Sequence, residues 1–193
     1  MTNTHLGLLR HGQTDWNINF LLQGVTDIPM NQTGIEQVKL AAQAIRAEDW
    51  DVVLTSPLSR ARQTAEIIAS QHGYTEIIEQ QLLIERSFGE AEGLSHEQWR
   101  AKYSTLDVIP GGESRTQLAE RSRLLLETIS QELAGKRVLA ISHGALIRAL
   151  IAIASNNELP RDGERLGNAS LNVVKHIDNS WQVVNYSLEP LVP

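Results

Sequence analysis

Two short apolar runs in this chain end in the same dipeptide: Leu8-Leu9-Arg10-His11-Gly12 near the start and Ala140-Ile141-Ser142-His143-Gly144 near the end. Each reads as a buried strand that delivers His-Gly at its carboxyl end. A third run, Asp51-Val52-Val53-Leu54-Thr55, leads into Ser56-Pro57 and a helical period carrying Arg60 in its first turn. Strands that alternate with amphipathic helices need crossover connections, so the expectation is an α/β fold around a largely parallel sheet. In open sheets of that kind the ligand crevice lies beyond the carboxyl ends of the strands. If these strands are parallel neighbours, Arg10, His11, Arg60 and His143 converge there.

The remaining pattern supplies the scaffold. Thr33 to Glu36 reads as a capping box opening a helix whose apolar face is Ile35, Val38, Ala42 and Ile45. Ser56-Pro57 suits the N-cap and first position of the next helix, with Leu58, Ala61, Ala65 and Ile68 on one face. Ser114 to Gln117 is a second capping box, opening a helix to about Leu133, and a further helix is expected from about Ala145 to Ala154. Ser170 to Ile177 and Trp181 to Ser187, around Asp178-Asn179-Ser180, read as an antiparallel edge hairpin. Residues 93–113 are the least regular stretch. They carry Trp99 and Tyr103 on an expected short helix and are expected to form a small cap over the site, within a single domain spanning 1–193.

Charge and cysteine content narrow the chemistry. Seventeen Lys and Arg stand against 23 Asp and Glu, a formal charge of −6. That balance argues against nucleic acid or an anionic membrane as partner, which would need a basic footprint. It leaves room for a small anion held by a local arginine cluster. There is no cysteine, which removes disulfides, thiolate metal sites and cysteine nucleophiles. No signal-peptide pattern and no apolar run of membrane-spanning length occurs, so the cytoplasm is the expected compartment. Gly135-Lys136-Arg137 lacks the earlier glycine and the hydroxyl of a Walker A loop, and no His-Glu-x-x-His is present. Two guanidiniums and two imidazoles facing two helix N-termini suit phosphate, and histidine is left as the nucleophile.

The longer run Leu8-Leu9-Arg10-His11-Gly12-Gln13-Thr14-Asp15-Trp16-Asn17 resembles the signature of the histidine phosphatase superfamily, the phosphoglycerate mutase-like proteins. The resemblance continues in order through Gln23-Gly24 with Asp27 and Pro29, Ser56 to Ala61, Glu85 before Phe88-Gly89, Gly111 to Ser114, and Ser142-His143-Gly144. It implies a three-layer α/β/α sandwich around a mostly parallel sheet with an antiparallel edge, and a reaction needing no metal and no organic cofactor. It also implies that His11 is the nucleophile and becomes a phosphohistidine. Arg10, Arg60 and His143 would hold the phosphoryl oxygens, with Asn17 hydrogen-bonding the same group. Gln23 and Gly24 would line the substrate side. Glu85 would serve as the acid, with Glu90 and Glu92 near enough in sequence for either to take that role. Gly12 and Gly144 would let backbone approach the phosphate closely.

The resemblance has one departure. Relatives often carry an arginine just before the Gln-Gly element, where this chain has Phe20-Leu21-Leu22. The expected site therefore lacks one cation for a second anionic group. With Trp99 and Tyr103, that stretch suggests a bulkier, less charged leaving group than phosphoglycerate. The chain also ends a few residues after its last expected strand, without the longer insertions and tail of the cofactor-dependent mutases. The expectation is a phosphomonoester hydrolase of broad specificity acting on a small phosphorylated metabolite. A cofactor-dependent phosphoglycerate mutase is the alternative, and a non-catalytic phospho-ligand-binding module comes third. His5, His72, His96 and His176 match no motif, and nothing in the sequence decides the oligomeric state.

Overall fold

The computed structural model describes residues 3–192, so the two ends of the expected 1–193 domain (residues 1, 2 and 193) lie outside the described residues. Six strands form one sheet in the order β3-β2-β4-β1-β5-β6. They are β1 (Thr4–Arg10), β2 (Val52–Thr55), β3 (Ile78–Glu79), β4 (Arg137–Ser142), β5 (Leu171–Ile177) and β6 (Ser180–Asn185). The first four in that order run parallel, β5 pairs antiparallel with β1, and β6 pairs antiparallel with β5 at the edge. β1 and β4 sit side by side at the centre, with Arg10 opposite Ser142 in register. That pairing brings the two His-Gly ends together.

The helices are α1 (Asp15–Ile18), α2 (Gln32–Ala44), α3 (Ser59–His72), α4 (His96–Lys102), α5 (Arg115–Glu132) and α6 (Gly144–Ala154). Strand alternation splits the core in two. Leu6, Leu8, Val138 and Ala140 face α5 and α6, packing on Leu125, Ile129, Leu146 and Leu150. Leu9, Val53, Leu139 and Ile141 face α2 and α3, packing on Val38, Ala42, Ala61 and Ile68. β4 is buried on both faces after its first residue, as its unbroken apolar run demands. The result is the expected three-layer α/β/α sandwich with an antiparallel edge.

Several boundaries differ from expectation. The N-cap of α2 is Asn31, whose side chain accepts from the Gly34 N–H at 2.9 Å, so the helix starts before the Thr33 box. α3 starts at Ser59 rather than after Ser56, and its cap comes from far along the chain: Asp27 Oδ1 accepts from the Ser59 N–H at 2.7 Å and from its hydroxyl at 2.8 Å. Ser56 is thereby released for another partner. The Ser114 box opens α5 as expected. In the hairpin, Asp178 and Asn179 have φ of 49° and 62°, the left-handed pair that a two-residue turn between twisted strands favours. The short β3 and the single-turn α1 had no counterpart in the sequence reading.

Residues 93–113 fold onto the sheet's carboxyl end. Trp99 of α4 packs with Phe88, Ala91 and Ile109 in a third, small apolar cluster, and Tyr103 lies just past the helix. Arg86 fastens this segment by donating to Asp107 Oδ1 at 2.7 Å and to the Glu113 carbonyl at 2.7 Å.

Candidate active site

His11 leaves the end of β1 almost fully buried, at 2% exposure. Its Nδ1 lies 2.7 Å from its neighbour's carbonyl, Gly12 O. A carbonyl can only accept, so Nδ1 carries the proton and Nε2 keeps a free lone pair. Burial, then Arg10 and Arg60, hold the imidazole well below the usual histidine range, so it is neutral at pH 7. A neutral ring with an unpartnered Nε2 lone pair is the form that attacks an electrophile.

His143 follows β4 and sits 5.1 Å from His11, ring to ring. Its Nδ1 accepts from Arg60 Nε at 3.2 Å, which leaves Nε2 to donate to Ser56 Oγ at 2.7 Å. Burial pushes its pKa well down, with Arg60, His11 and Arg10 adding to the effect. Arg60 is completely buried. Besides His143, it donates to the Thr26 carbonyl at 2.9 Å and the Gly24 carbonyl at 2.7 Å. Burial lowers its pKa, against Glu85, Asp27 and Glu92.

Arg10 is different in kind. Its Nη1 donates to the Leu166 carbonyl, yet its buried Nε has no hydrogen-bond partner. Burial brings its pKa down to about 10, with Glu85 opposing and Arg60 assisting, so it remains cationic at neutral pH. A buried guanidinium N–H without a partner is costly, and an anionic oxygen is the partner it suits best.

Glu85 reaches the same crevice. Its Oε1 accepts from the N–H of Arg86 at 2.9 Å and of Leu146 at 3.1 Å, and its Oε2 from that of Ala145 at 3.1 Å. The first turn of α6 is thus satisfied by a side chain of the protein, as Asp27 satisfies α3. The expectation of open helix N-termini as the anion receptor is corrected by these two carboxylates. Arg121 steadies the segment before Glu85 by donating to the Leu82 and Ile84 carbonyls at 2.9 and 2.8 Å. The two rival acids have other duties. Glu90 is exposed and meets Tyr103 and Lys102. Glu92 accepts from the Val25 and Thr26 N–H groups at 3.0 and 2.8 Å, from the Thr26 hydroxyl, and from the Phe88 N–H at 3.0 Å. It clamps the very loop whose carbonyls receive Arg60. A Cβ on Gly24, which has φ of +55°, would lie 2.0 Å from Glu92 Oε1, so only glycine fits there.

Gly12 has a reason other than the expected one. A Cβ there would come within 2.5 Å of the Gly34 carbonyl and 2.8 Å of Val38. It is required where the strand exit crosses α2. At Gly144 the nearest side-chain atom would be Arg10 Nε at 3.5 Å, an ordinary contact.

Beside this crevice lies a cleft of about 540 Å³ lined in part by Arg10, Trp16, Asn17, Phe20, Leu22 and Trp99, a volume ordinary for a small-molecule pocket. Asn17 Oδ1 accepts from the Thr14 N–H at 3.1 Å and Asn168 Nδ2 at 3.1 Å, so its amide N–H2 is what it can offer a ligand. Gln23 is buried with an unpartnered Oε1. Four contributors escaped the sequence reading. Asn168 also donates to the His11 carbonyl at 3.0 Å, Thr64 accepts from the Gly12 N–H at 3.2 Å, and Arg165 and His96 stand on the cleft wall. None lies in a motif with His11, so only the fold could place them. Among the described residues no group of three His, Cys, Asp or Glu is disposed to hold a metal. Asp49-Trp50-Asp51 precedes β2, at the opposite end of the sheet from the crevice, and there Asp51 pairs with Arg137. No described helix is long and apolar enough to cross a membrane.

A family model described as histidine phosphatase superfamily (branch 1) matches residues 6–189. A Bacillus subtilis protein named "Uncharacterized phosphatase PhoE" is 35% identical, over 96% of this chain and 95% of its own. A Photorhabdus laumondii protein named "Probable phosphoglycerate mutase GpmB" is also 35% identical, over 94% of this chain and 89% of its own. Among solved structures, a mycobacterial glucosyl-3-phosphoglycerate phosphatase in complex with VO3 superposes with a TM-score of 0.81 at 28% identity. It covers 96% of this chain and 99% of that one.

Proposed function

This chain belongs to the histidine phosphatase superfamily, branch 1, and from that premise we propose that it is a metal-independent phosphomonoester hydrolase working through a phosphohistidine at His11. The observation that carries the reading is the pairing of a neutral His11 with an unpartnered buried Arg10 N–H at one crevice. His11 Nε2 attacks phosphorus as the bond to the leaving oxygen breaks. Arg10 and Arg60, with the Asn17 amide, take up the charge spread over the equatorial oxygens. His143 contributes its Nε2 proton, for which a phosphoryl oxygen competes with Ser56.

Glu85 protonates the leaving oxygen. Oε1 already accepts two N–H bonds and Oε2 one, which makes Oε2 the oxygen that carries the proton. In the second half, Glu85 takes a proton from water as the water oxygen attacks phosphorus. The P–N bond then breaks, and its electron pair returns to His11. Gln23, Gly24 and Gly144 shape the substrate side, and residues 93–113 act as a cap through Trp99 and His96. The substrate is a small phosphorylated metabolite, and the compartment is the cytoplasm.

Trapping after brief exposure to a labelled phosphomonoester gives an acid-labile, base-stable phosphoprotein. His11→Ala abolishes both that adduct and p-nitrophenyl phosphate hydrolysis; undiminished hydrolysis in the variant overturns the reading. Transfer between two positions of phosphoglycerate, primed by a trace of bisphosphoglycerate and faster than phosphate release, would assign the mutase reaction instead.

A further inference from the structure

An amide side chain offers its N–H2 edge to a ligand only while its oxygen is engaged elsewhere. At Asn17 three donors engage that oxygen: the Thr14 N–H at 3.1 Å, the Thr14 hydroxyl at 3.2 Å and Asn168 Nδ2 at 3.1 Å. The two from Thr14 are local. They belong to the capping box of α1, a helix of four residues with none buried, and so short a helix has little stability of its own. The third donor is 151 residues away in sequence, in the loop between α6 and β5.

That loop is fastened to the strand that carries His11. The Leu166 carbonyl accepts from Arg10 Nη1, the Ala169 N–H donates to the Arg10 carbonyl at 3.1 Å, and the Gly167 N–H donates to the Leu188 carbonyl at 2.7 Å. Ala169 is fully buried with φ of +56°. A left-handed backbone is unfavourable for a residue with a Cβ and persists only where its surroundings impose it. The chain accepts this strain one residue after Asn168, just before β5 begins.

The same Asn168 nitrogen makes a second bond. Nδ2 also donates to the His11 carbonyl at 3.0 Å, so both of its hydrogens are spent. One holds the backbone of the nucleophile and the other holds the oxygen of Asn17. A single nitrogen thereby ties the two groups together.

We propose that Asn168 is a positioning residue, which keeps the Asn17 N–H2 edge turned to the phosphoryl group and fixes its offset from His11. The proposal rests on the hydrolase reading for the role of Asn17 and His11. It requires no contact between Asn168 and the substrate.

Orthovanadate, an oxyanion of phosphoryl shape, reads the effect without turnover. By calorimetry, Asn168→Ala and Asn17→Ala should each weaken vanadate binding about tenfold. The double variant should lose about twentyfold, against the roughly hundredfold of independent sites. A hundredfold loss would overturn the proposal. Asn168→Asp is near-isosteric, but its carboxylate cannot donate and faces the His11 carbonyl and the Asn17 oxygen. It should lower kcat for p-nitrophenyl phosphate about a hundredfold at pH 8. Its rate relative to wild type should recover as pH falls to 5, because those oxygens raise its pKa and the protonated acid regains a donor. A ratio flat across that range would also overturn the proposal, and if this variant does not fold, the vanadate cycle decides alone. Vanadate bound equally by wild type and Asn168→Ala refutes the positioning role and leaves the hydrolase intact. A wild type that binds vanadate but releases no phosphate from p-nitrophenyl phosphate sinks the hydrolase reading, and the vanadate cycle still tests Asn168.

Discussion

Lowering the pH from 7.5 to 5.5 should destabilise the ligand-free protein through two buried imidazoles, and His11→Asn should remove half of that effect. Both His11 and His143 are held neutral in the fold, by burial first and by arginines second. Unfolded, each titrates near 6.5. The folded value is the depressed one, so the unfolded chain binds more protons below 6.5 and stability falls with pH there. Between 7.5 and 5.5 a histidine that stays neutral when folded costs about 1.4 kcal/mol, and the pair about 3 kcal/mol. Unfolded carboxylates titrate near 4 and add little in this window. Urea unfolding of wild type and His11→Asn at both pH values measures the difference. Asparagine can still donate to the Gly12 carbonyl but cannot titrate, so its pH loss should be smaller by about 1.4 kcal/mol. Equal pH losses in the two proteins would show that His11 protonates normally in the fold, and the neutral nucleophile would be refuted.

Three further outcomes follow from the site. Glu85→Gln should slow an alkyl phosphate ~10²-fold or more but p-nitrophenyl phosphate far less, because only the poor leaving group needs the proton; equal losses by steady-state kinetics would take Glu85 out of the acid role. Glu92→Ala should free the loop at residues 24–26, weakening vanadate inhibition and lowering kcat about tenfold with ~2 kcal/mol of stability lost; unchanged vanadate affinity would sever Glu92 from Arg60. Gly12→Ala should destabilise by ~1–3 kcal/mol through overpacking against Gly34 and Val38, whereas Gly144→Ala should melt within a few degrees of wild type; a thermal scan of the two separates packing from phosphate access.

Local patterns made the layers legible. The continuous apolar run Val138 to Ile141 can only be a strand buried on both faces, and Ser114 with Gln117 closes a capping box within one turn. Both are short-range facts, and both appear in the structure where the sequence puts them. The α3 start was misread for the converse reason. Ser56-Pro57 is a good local start signal, but Asp27 caps Ser59 from a distant loop and Ser56 turns to His143. Gly12 is a similar case: the glycine was visible, while its cause, the crossing of α2, was not.

The sequence by itself determined the family and put forward its candidate reacting groups, because Arg10, His11 and His143 lie in short motifs at the ends of β1 and β4. Tertiary structure alone decided which atoms of those groups are free. The Gly12 carbonyl selects the His11 tautomer, Arg60 and Ser56 occupy both nitrogens of His143, and Arg10 keeps one N–H unspent. It also set Arg165 beside a cleft whose other walls come from residues 16–22 and 96–99. Hydrogen-bond saturation and charge placement depend on distances between segments far apart in the chain. No local pattern encodes them until β1 and β4 pair.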